Sequence, residues 1–332
     1  MTVPLPSLAS KTETIYYLAY GSNMDPKVLT GRRKIQPLES HPVVVPGYWL
    51  SFDIGGIPFV EPCFASILKI DHSRLRDRAY AEEVHARTKW GREFVWDESH
   101  PDHPMRSYPP VLQGVAHKIT LRDWDLVIHS EGGWGYDVPT GYNQIEVDCQ
   151  LAGKDKKHLS AMVLEARPLS VRSYCQPTAR YKGLLTTGAA HHNLDPAYQQ
   201  YLAGIVPYEC TGTRSKVARI LFSAMNTPLM LMFLVMFLRN RGKTADQITR
   251  PPFWAAWCFD KGARCSAMIH DYVIAPIFGS GRASSLAHQA VVRKRIELAM
   301  LTEKPDECNT KAVEAEGPVI KAAEEAVESV AE

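Results

Sequence analysis

Two short stretches of this chain carry residue types able to do chemistry. In "IYYLAYGSNMDP", Ile15 to Pro26, an apolar run breaks into Gly21, Ser22 and Asn23, and Asp25-Pro26 reads as the start of a helix. Small residues between a strand and a helix start can turn backbone N–H groups toward an anion. They also dominate ordinary turns, so the stretch alone is either a turn or a cradle. In "HSEGGWGYDVPTG", Glu131 stands at the end of an apolar helical pattern and the mouth of a glycine-rich loop. A carboxylate there is a general acid–base if the fold brings it to a substrate, and a surface acid otherwise.

Other chemistries lack their residues. A nucleophile elbow needs G-x-S-x-G, but Tyr20 stands two positions before Ser22, and Ile277 and Phe278 precede the glycine before Ser280. No G-x-x-x-x-G-K-[ST] phosphate loop is present. Gly133-Trp134-Gly135 begins a dinucleotide pattern, but Val138 occupies the third small position, and Glu131 is a poor neighbour for a pyrophosphate. His100 and His103 in "HPDH" have no metal-site frame around them and read as a polar loop.

The elements that must position these groups follow from the pattern. Ile15 to Tyr20 reads as a strand, and residues 43–70 as a meander of short strands rich in Val, Tyr, Trp, Phe and Ile. Residues 71–110 are crowded with charge of both signs and end in Pro109-Pro110, an insertion that is partly helical and mobile, with the length of a lid. "VLQGVAHKI" resumes a strand. "TLRDWDLVIHSE" reads as a helix capped by Thr120, with Leu121, Trp124, Leu126 and Val127 at helical spacing. Strands follow at "YNQIEVDCQ" and "SAMVLEARPL", and a helix at "NLDPAYQQYLAGI", with Asp195 as cap and Pro196 at its first position. Strands interrupted by helices without regular alternation indicate an α+β fold.

The domain reading is a disordered leader over 1–13, a domain over 14–211, a helical extension over 212–306 and an acidic, disordered tail over 307–332. The extension holds an unbroken apolar run from Leu229 to Leu238, roughly 15 Å of helix and about half a bilayer core. It reads as a buried helix, with a partner surface or membrane interface as the alternative. The chain has 332 residues, 45% hydrophobic and 22% charged, with net charge +2, which gives no basic footprint for nucleic acid. The N-terminus lacks the pattern of a secretory signal. Seven scattered cysteines without a CxxC pair fit reduced thiols in a cytoplasmic protein, not a disulfide framework or structural zinc.

Taken together, the landmarks resemble the γ-glutamyl cyclotransferase family. "YLAYGSNM" is similar to its opening motif, a strand followed by Y-G-S-N-L, with Met24 in place of Leu. "HSEGGWGYDVPTGYNQIEV" supplies Glu131, Gly132, Gly141 and Tyr142 in the family's order, and "PTARYKGLL" supplies Tyr181. The resemblance spans residues 14–206. The charged insertion and helical extension look like the fungal branch that serves epidithiodioxopiperazine toxins such as gliotoxin. The loop from Glu131 to Tyr142 is longer than in compact members, and Met162 and Val163 stand where those often carry Tyr.

The resemblance implies a small mixed β-barrel with flanking helices, and an intramolecular acyl transfer that needs no cofactor or metal. The α-amine of a γ-glutamyl group attacks its own γ-carbonyl, forming 5-oxoproline and releasing an amine. Glu131 would move the protons, its pKa raised by burial against Trp124 and Leu126. Tyr20, Gly21, Ser22, Asn23 and Met24 would hold the substrate and Tyr142 and Tyr181 orient it. The substrate would be a glutathione-conjugated diketopiperazine, its scaffold held by apolar residues of the insertion (Trp90, Phe94, Trp96) and extension (Phe253, Trp254, Trp257). A non-catalytic small-ligand binder on the same fold is the alternative.

Overall fold

The computed structural model describes residues 13–88, 109–131, 142–152, 157–166, 171–172, 175–240 and 252–283. All lie in the first of two compact units, Met1–His288. The leader, the acidic tail, His100, His103, Trp90, Phe94, Trp96 and the glycine-rich loop over 132–141 fall outside the described residues.

Among the described residues there are seven strands: β1 (Thr14–Ala19), β2 (Glu39–Val45), β3 (Tyr48–Ile57), β4 (Glu61–Lys69), β5 (Leu112–Thr120), β6 (Tyr142–Leu151) and β7 (His158–Ala166). Five of them close a barrel in the order β1-β5-β2-β6-β7, and β3 and β4 form a separate hairpin. The pairings are antiparallel except β1 with β7, which closes the barrel in parallel at Tyr17 and Met162. The fold is therefore α+β with a small mixed barrel. Its core holds Leu18, Val43, Val45, Leu112, Cys149 and Val163, which the register places on one face of the sheet, with Val115 and Ile119 buried on the other.

Helix α1 (Arg78–Thr88) belongs to the charged insertion and packs on β3. Its Arg87 reaches Asp53, whose side chain is fully buried, at 2.6 Å. Burial pushes the Asp53 carboxyl up, and Arg87 opposes that shift. Helix α2 (Leu121–Ser130) follows β5 without a loop, and Thr120 Oγ1 accepts from the Asp123 N–H at 3.1 Å, the expected cap. Helix α3 (Ala179–His191) was not expected from the sequence. Thr178 caps it, but Gly183, Thr186, Thr187 and Gly188 are weak helix formers, and packing against the barrel overrides them. Helix α4 (Pro196–Ala203) carries the expected Asp195 cap, 2.8 Å from the Ala197 N–H.

The C-terminal region is helical: α5 (Thr213–Asn240), α6 (Phe253–Ile269) and α7 (Ala275–Phe278). It seats on the tip of the β3–β4 hairpin, where Phe59 packs with Ala218 and Phe222 and its N–H donates to the Gly281 carbonyl at 2.8 Å. Here the sequence reading needs correction. The run from Leu229 to Leu238 is helical, and its Leu231, Leu234, Val235 and Leu238 are 46–64% exposed where the sequence suggested burial. A helix of this length offers one face to its neighbours. Phe222 and Asn226 use that face against Phe59 and Ser266, and Leu229 lies against Gly262 of α6. Among the described residues no helix is long and apolar enough to cross a membrane.

His117 on β5 is 2% exposed, hydrogen-bonded through Nδ1 to Ser40 Oγ at 2.8 Å and edge-on to His192. Burial, with the His192 ring beside it, depresses its pKa to about 3. The unfolded chain takes up this proton near pH 6.5 and the folded chain does not, so the stability tied to His117 is complete above about pH 6.5 and lost as pH falls toward about 3. Urea midpoints measured at pH 7, 5 and 4 are expected to drop less steeply in His117→Gln than in the native chain.

Candidate active site

The site forms where β1 ends. After Ala19 the chain makes a tight 3₁₀ turn, Ser22–Met24, closed by Met24 N–H to Gly21 C=O and Asp25 N–H to Ser22 C=O, each 3.1 Å. Asp25 then opens a helical segment by accepting from the Lys27 N–H through its side chain at 2.8 Å. That segment, Lys27–Arg32, is a π-helix, a wide turn that recurs at functional sites.

Glu131 arrives at the same place from the end of α2, its own N–H bonded to the Val127 carbonyl at 3.0 Å. Its carboxylate is 21% exposed. Asn23 Nδ2 donates to Glu131 Oε1 at 3.2 Å and to Tyr17 Oη at 2.6 Å. Arg33 forms an ion pair with the same Oε1 and also bonds Ser130 Oγ, while its Nε donates to Asn23 Oδ1 at 2.8 Å. Among the described residues, every hydrogen bond to the carboxylate goes to Oε1. Trp124 is buried and packs on Tyr17, 5.5 Å between ring centroids, so the expected apolar wall exists, while the carboxylate itself meets a guanidinium.

Among the described residues, four phenols surround this centre. Tyr17 and Tyr20 come from β1 and its end, Tyr142 from the start of β6 and Tyr181 from α3. Burial raises the pKa of all four, and the Glu131 charge adds to the rise, so each is a neutral hydroxyl near neutral pH. Tyr20 donates to the Leu164 carbonyl at 2.5 Å. Tyr181 Oη accepts from the Ala65 N–H at 3.1 Å and also meets the Ser22 amide. A Cβ on Gly21 would lie 3.1 Å from that oxygen, so the glycine lets the hydroxyl approach the turn.

Tyr20, Gly21, Ser22, Asn23, Glu131, Tyr142 and Tyr181 thus converge. Met24 follows Asn23 in the turn, 1% exposed, with Gly188 of α3 close against it. Gly132 and Gly141 fall outside the described residues. Among the described residues no group of three or more side chains is arranged to hold a metal ion.

A protein of Aspergillus fumigatus named γ-glutamyl cyclotransferase gliK is 30% identical to this chain over 287 residues, covering 85% of this chain and 94% of that protein. The chain belongs to the γ-glutamyl cyclotransferase family. A relative of the same name from Claviceps purpurea is 25% identical over 259 residues, 78% of this chain and 99% of its own length. A solved structure titled γ-glutamyl cyclotransferase aligns over 60% of this chain and 93% of its own at 18% identity, with a TM-score of 0.40. No known family profile matches the chain.

Two residues of this γ-glutamyl cyclotransferase site escaped the sequence reading. Tyr17 was hidden by "IYYLAY", where aromatic residues sit on both faces of the strand. Tyr16 reaches Glu39, and Tyr17, on the opposite face of the strand, reaches Asn23. Arg33 was one of two adjacent arginines in "GRRK", and nothing local says which turns inward.

The turn is backed by α3. A Cβ on Gly188 would lie 2.6 Å from Met24 Cβ and 2.8 Å from the Asp25 nitrogen, so the helix touches the turn there without a side chain between them. Gly188→Val should cost about 1–3 kcal/mol of stability by overpacking and displace the turn. Gly183→Ala is the control, since its Cβ would meet nothing within 4 Å. Urea denaturation should separate the two, Gly183→Ala matching or exceeding the native chain.

Proposed function

We propose that this protein is a γ-glutamyl cyclotransferase in which Glu131 transfers the protons. The observation that carries the assignment is the meeting of the Glu131 carboxylate with Asn23 of the Gly21–Asn23 turn, two segments 108 residues apart, within a ring of neutral phenols. Membership in the family supports the reaction class.

In this reading the substrate's α-carboxylate and the carbonyl oxygen that gains charge lie against the turn, where backbone donors precede a helical segment. Glu131 accepts a proton from the α-ammonium. The freed amine attacks the γ-carbonyl carbon, and a tetrahedral centre forms. The carboxyl then gives that proton to the departing nitrogen as the C–N bond breaks, and the regenerated carboxylate passes the attacking nitrogen's second proton to the released amine, so 5-oxoproline leaves with an ammonium. The attack is intramolecular, so holding the γ-glutamyl chain folded can supply about 7–11 kcal/mol of the barrier. Tyr142 and Tyr181 serve as orienting hydroxyls. Their burial keeps them protonated, and hence donors, when Glu131 is charged.

For the acceptor half we propose a glutathione-conjugated diketopiperazine, supported by the sequence resemblance to the toxin-pathway branch. Its bulky leaving group would meet the exposed aromatic residues Phe253, Trp254 and Trp257 of α6 or the insertion.

The full-length protein should release 5-oxoproline from at least one of glutathione, a γ-glutamyl dipeptide and a glutathionylated diketopiperazine, measured in parallel by chromatography. Glu131→Gln should lower that turnover by about 10²–10⁴-fold while circular dichroism stays native. Near-native turnover in the variant would sink the assignment of Glu131, and no product from any of the three would favour the ligand-binding reading.

A further inference from the structure

Arg33 spends each of its three guanidinium nitrogens on a different residue of the site. Nε donates to Asn23 Oδ1 at 2.8 Å, Nη1 to Ser130 Oγ and Nη2 to Glu131 Oε1. The Ser130 hydroxyl donates in turn to the Val127 carbonyl at 2.9 Å, so its oxygen receives Arg33 while its proton serves the helix. One side chain therefore joins the turn after β1 to the last turn of α2. Only 12% of it is exposed.

The backbone around Arg33 is built to hold it there. Its N–H reaches five residues back to the Val28 carbonyl at 2.9 Å, the bond of a π-helical turn. Lys34 follows with φ +60°, the left-handed region that side chains rarely adopt, and Ile35 is fully buried with its N–H on the Leu29 carbonyl. A strained residue of this kind persists only where its surroundings dictate it. Here it lets the chain reverse into Ile35 while Arg33 points at Glu131.

The charge has a direction as well. Arg33 and Asn23 both take Oε1, and no described residue bonds Oε2. Tyr17 and Tyr20 from β1 and its end, Tyr142 from β6 and Tyr181 from α3 face the carboxylate as neutral groups, so Arg33 is the charged partner it meets among the described residues. We propose that Arg33 is the positioning residue of the cyclisation: it fixes Glu131 through Oε1 as its cationic partner and leaves Oε2 as the oxygen that receives the substrate's proton. This rests on Glu131 being the base. Arg33 acts through Glu131, and a fork geometry of three separate bonds is one that lysine cannot reproduce.

The test is steady-state kinetics of full-length Arg33→Met, Arg33→Lys and Glu131→Gln across pH 5–9, using whichever γ-glutamyl substrate of the panel above turns over best. Arg33→Met should lose about a hundredfold in kcat with KM changed little, the cost of a misplaced catalytic group. The acid limb of its kcat/KM profile should move to higher pH, because a carboxylate that loses a neighbouring cation is easier to protonate. Arg33→Lys keeps the charge but not the fork. It should lose activity while holding the native acid limb, and it decides the matter if Arg33→Met fails to fold. Native kcat in either variant, or an unmoved acid limb in folded Arg33→Met, overturns the proposal. An acid limb in Arg33→Lys displaced like that of Arg33→Met also overturns it. If Glu131→Gln stays active, it is the assignment of the base that has failed; if Glu131→Gln is dead and Arg33→Met is native, only the role of Arg33 has.

Discussion

Everything at this site depends on how β5 and α2 run relative to β1. The two strands are antiparallel and in register from Thr14 opposite Thr120 to Ala19 opposite Val115. The end of β5 therefore lies beside the beginning of β1. The chain turns there without a loop, tied by Leu121 N–H to the Glu13 carbonyl at 3.1 Å, and α2 travels back along the strand it has just paired with. Ten residues of helix cover about 15 Å and six of strand about 20 Å. The return trip ends where β1 ends, and the first residue past the helix is Glu131. The carboxylate meets the Gly21–Asn23 turn because a strand and a helix have commensurate lengths, and the cap at Thr120 sets where the count begins.

This geometry places the ion pair of Glu131 and Arg33 among neutral hydroxyls. Phenols held above their usual range by burial donate hydrogen bonds without carrying charge. Such a lining polarises a substrate carbonyl without competing for its ammonium. The barrel fixes these hydroxyls through its own backbone: Tyr20 through the Leu164 carbonyl on β7, Tyr181 through the Ala65 N–H on β4. The hairpin is linked to the barrel in the same manner, with the Ala166 N–H on Ser66 Oγ at 3.0 Å. Preorganisation here is a property of main-chain pairing more than of side-chain packing.

What could be read from the sequence was what local physics decides. The turn after β1, the Thr120 cap, the helix to Glu131 and the Asp195-Pro196 start of α4 each rest on a few adjacent residues. What could not be read depends on partners far along the chain. Arg33 and Arg32 are equivalent until Glu131, 98 residues on, selects one. Tyr16 and Tyr17 are equivalent until Glu39 takes one and Asn23 the other. Helix α3 contradicts its own propensities, since Gly183 and Gly188 weaken it and the second of them is needed for close approach. The apolar run in α5 reads as core on composition alone, yet Leu231, Leu234, Val235 and Leu238 find no cover from the described elements. The order of the catalytic landmarks was legible because order survives when spacing does not; the network that joins them was not.

The pair between Arg87 and Asp53 bears on how the chain relates to more compact members of its fold. Asp53 sits on a barrel-side hairpin and Arg87 on the inserted helix, and the carboxylate has no exposure of its own. A buried ion whose partner is removed destabilises a protein by about 3–5 kcal/mol. Deleting α1 would strip the buried Asp53 carboxyl of that partner. The two positions are coupled: a chain without α1 is better served by a neutral residue at the place of Asp53, and a graft of α1 onto another barrel would have to bring its acid along.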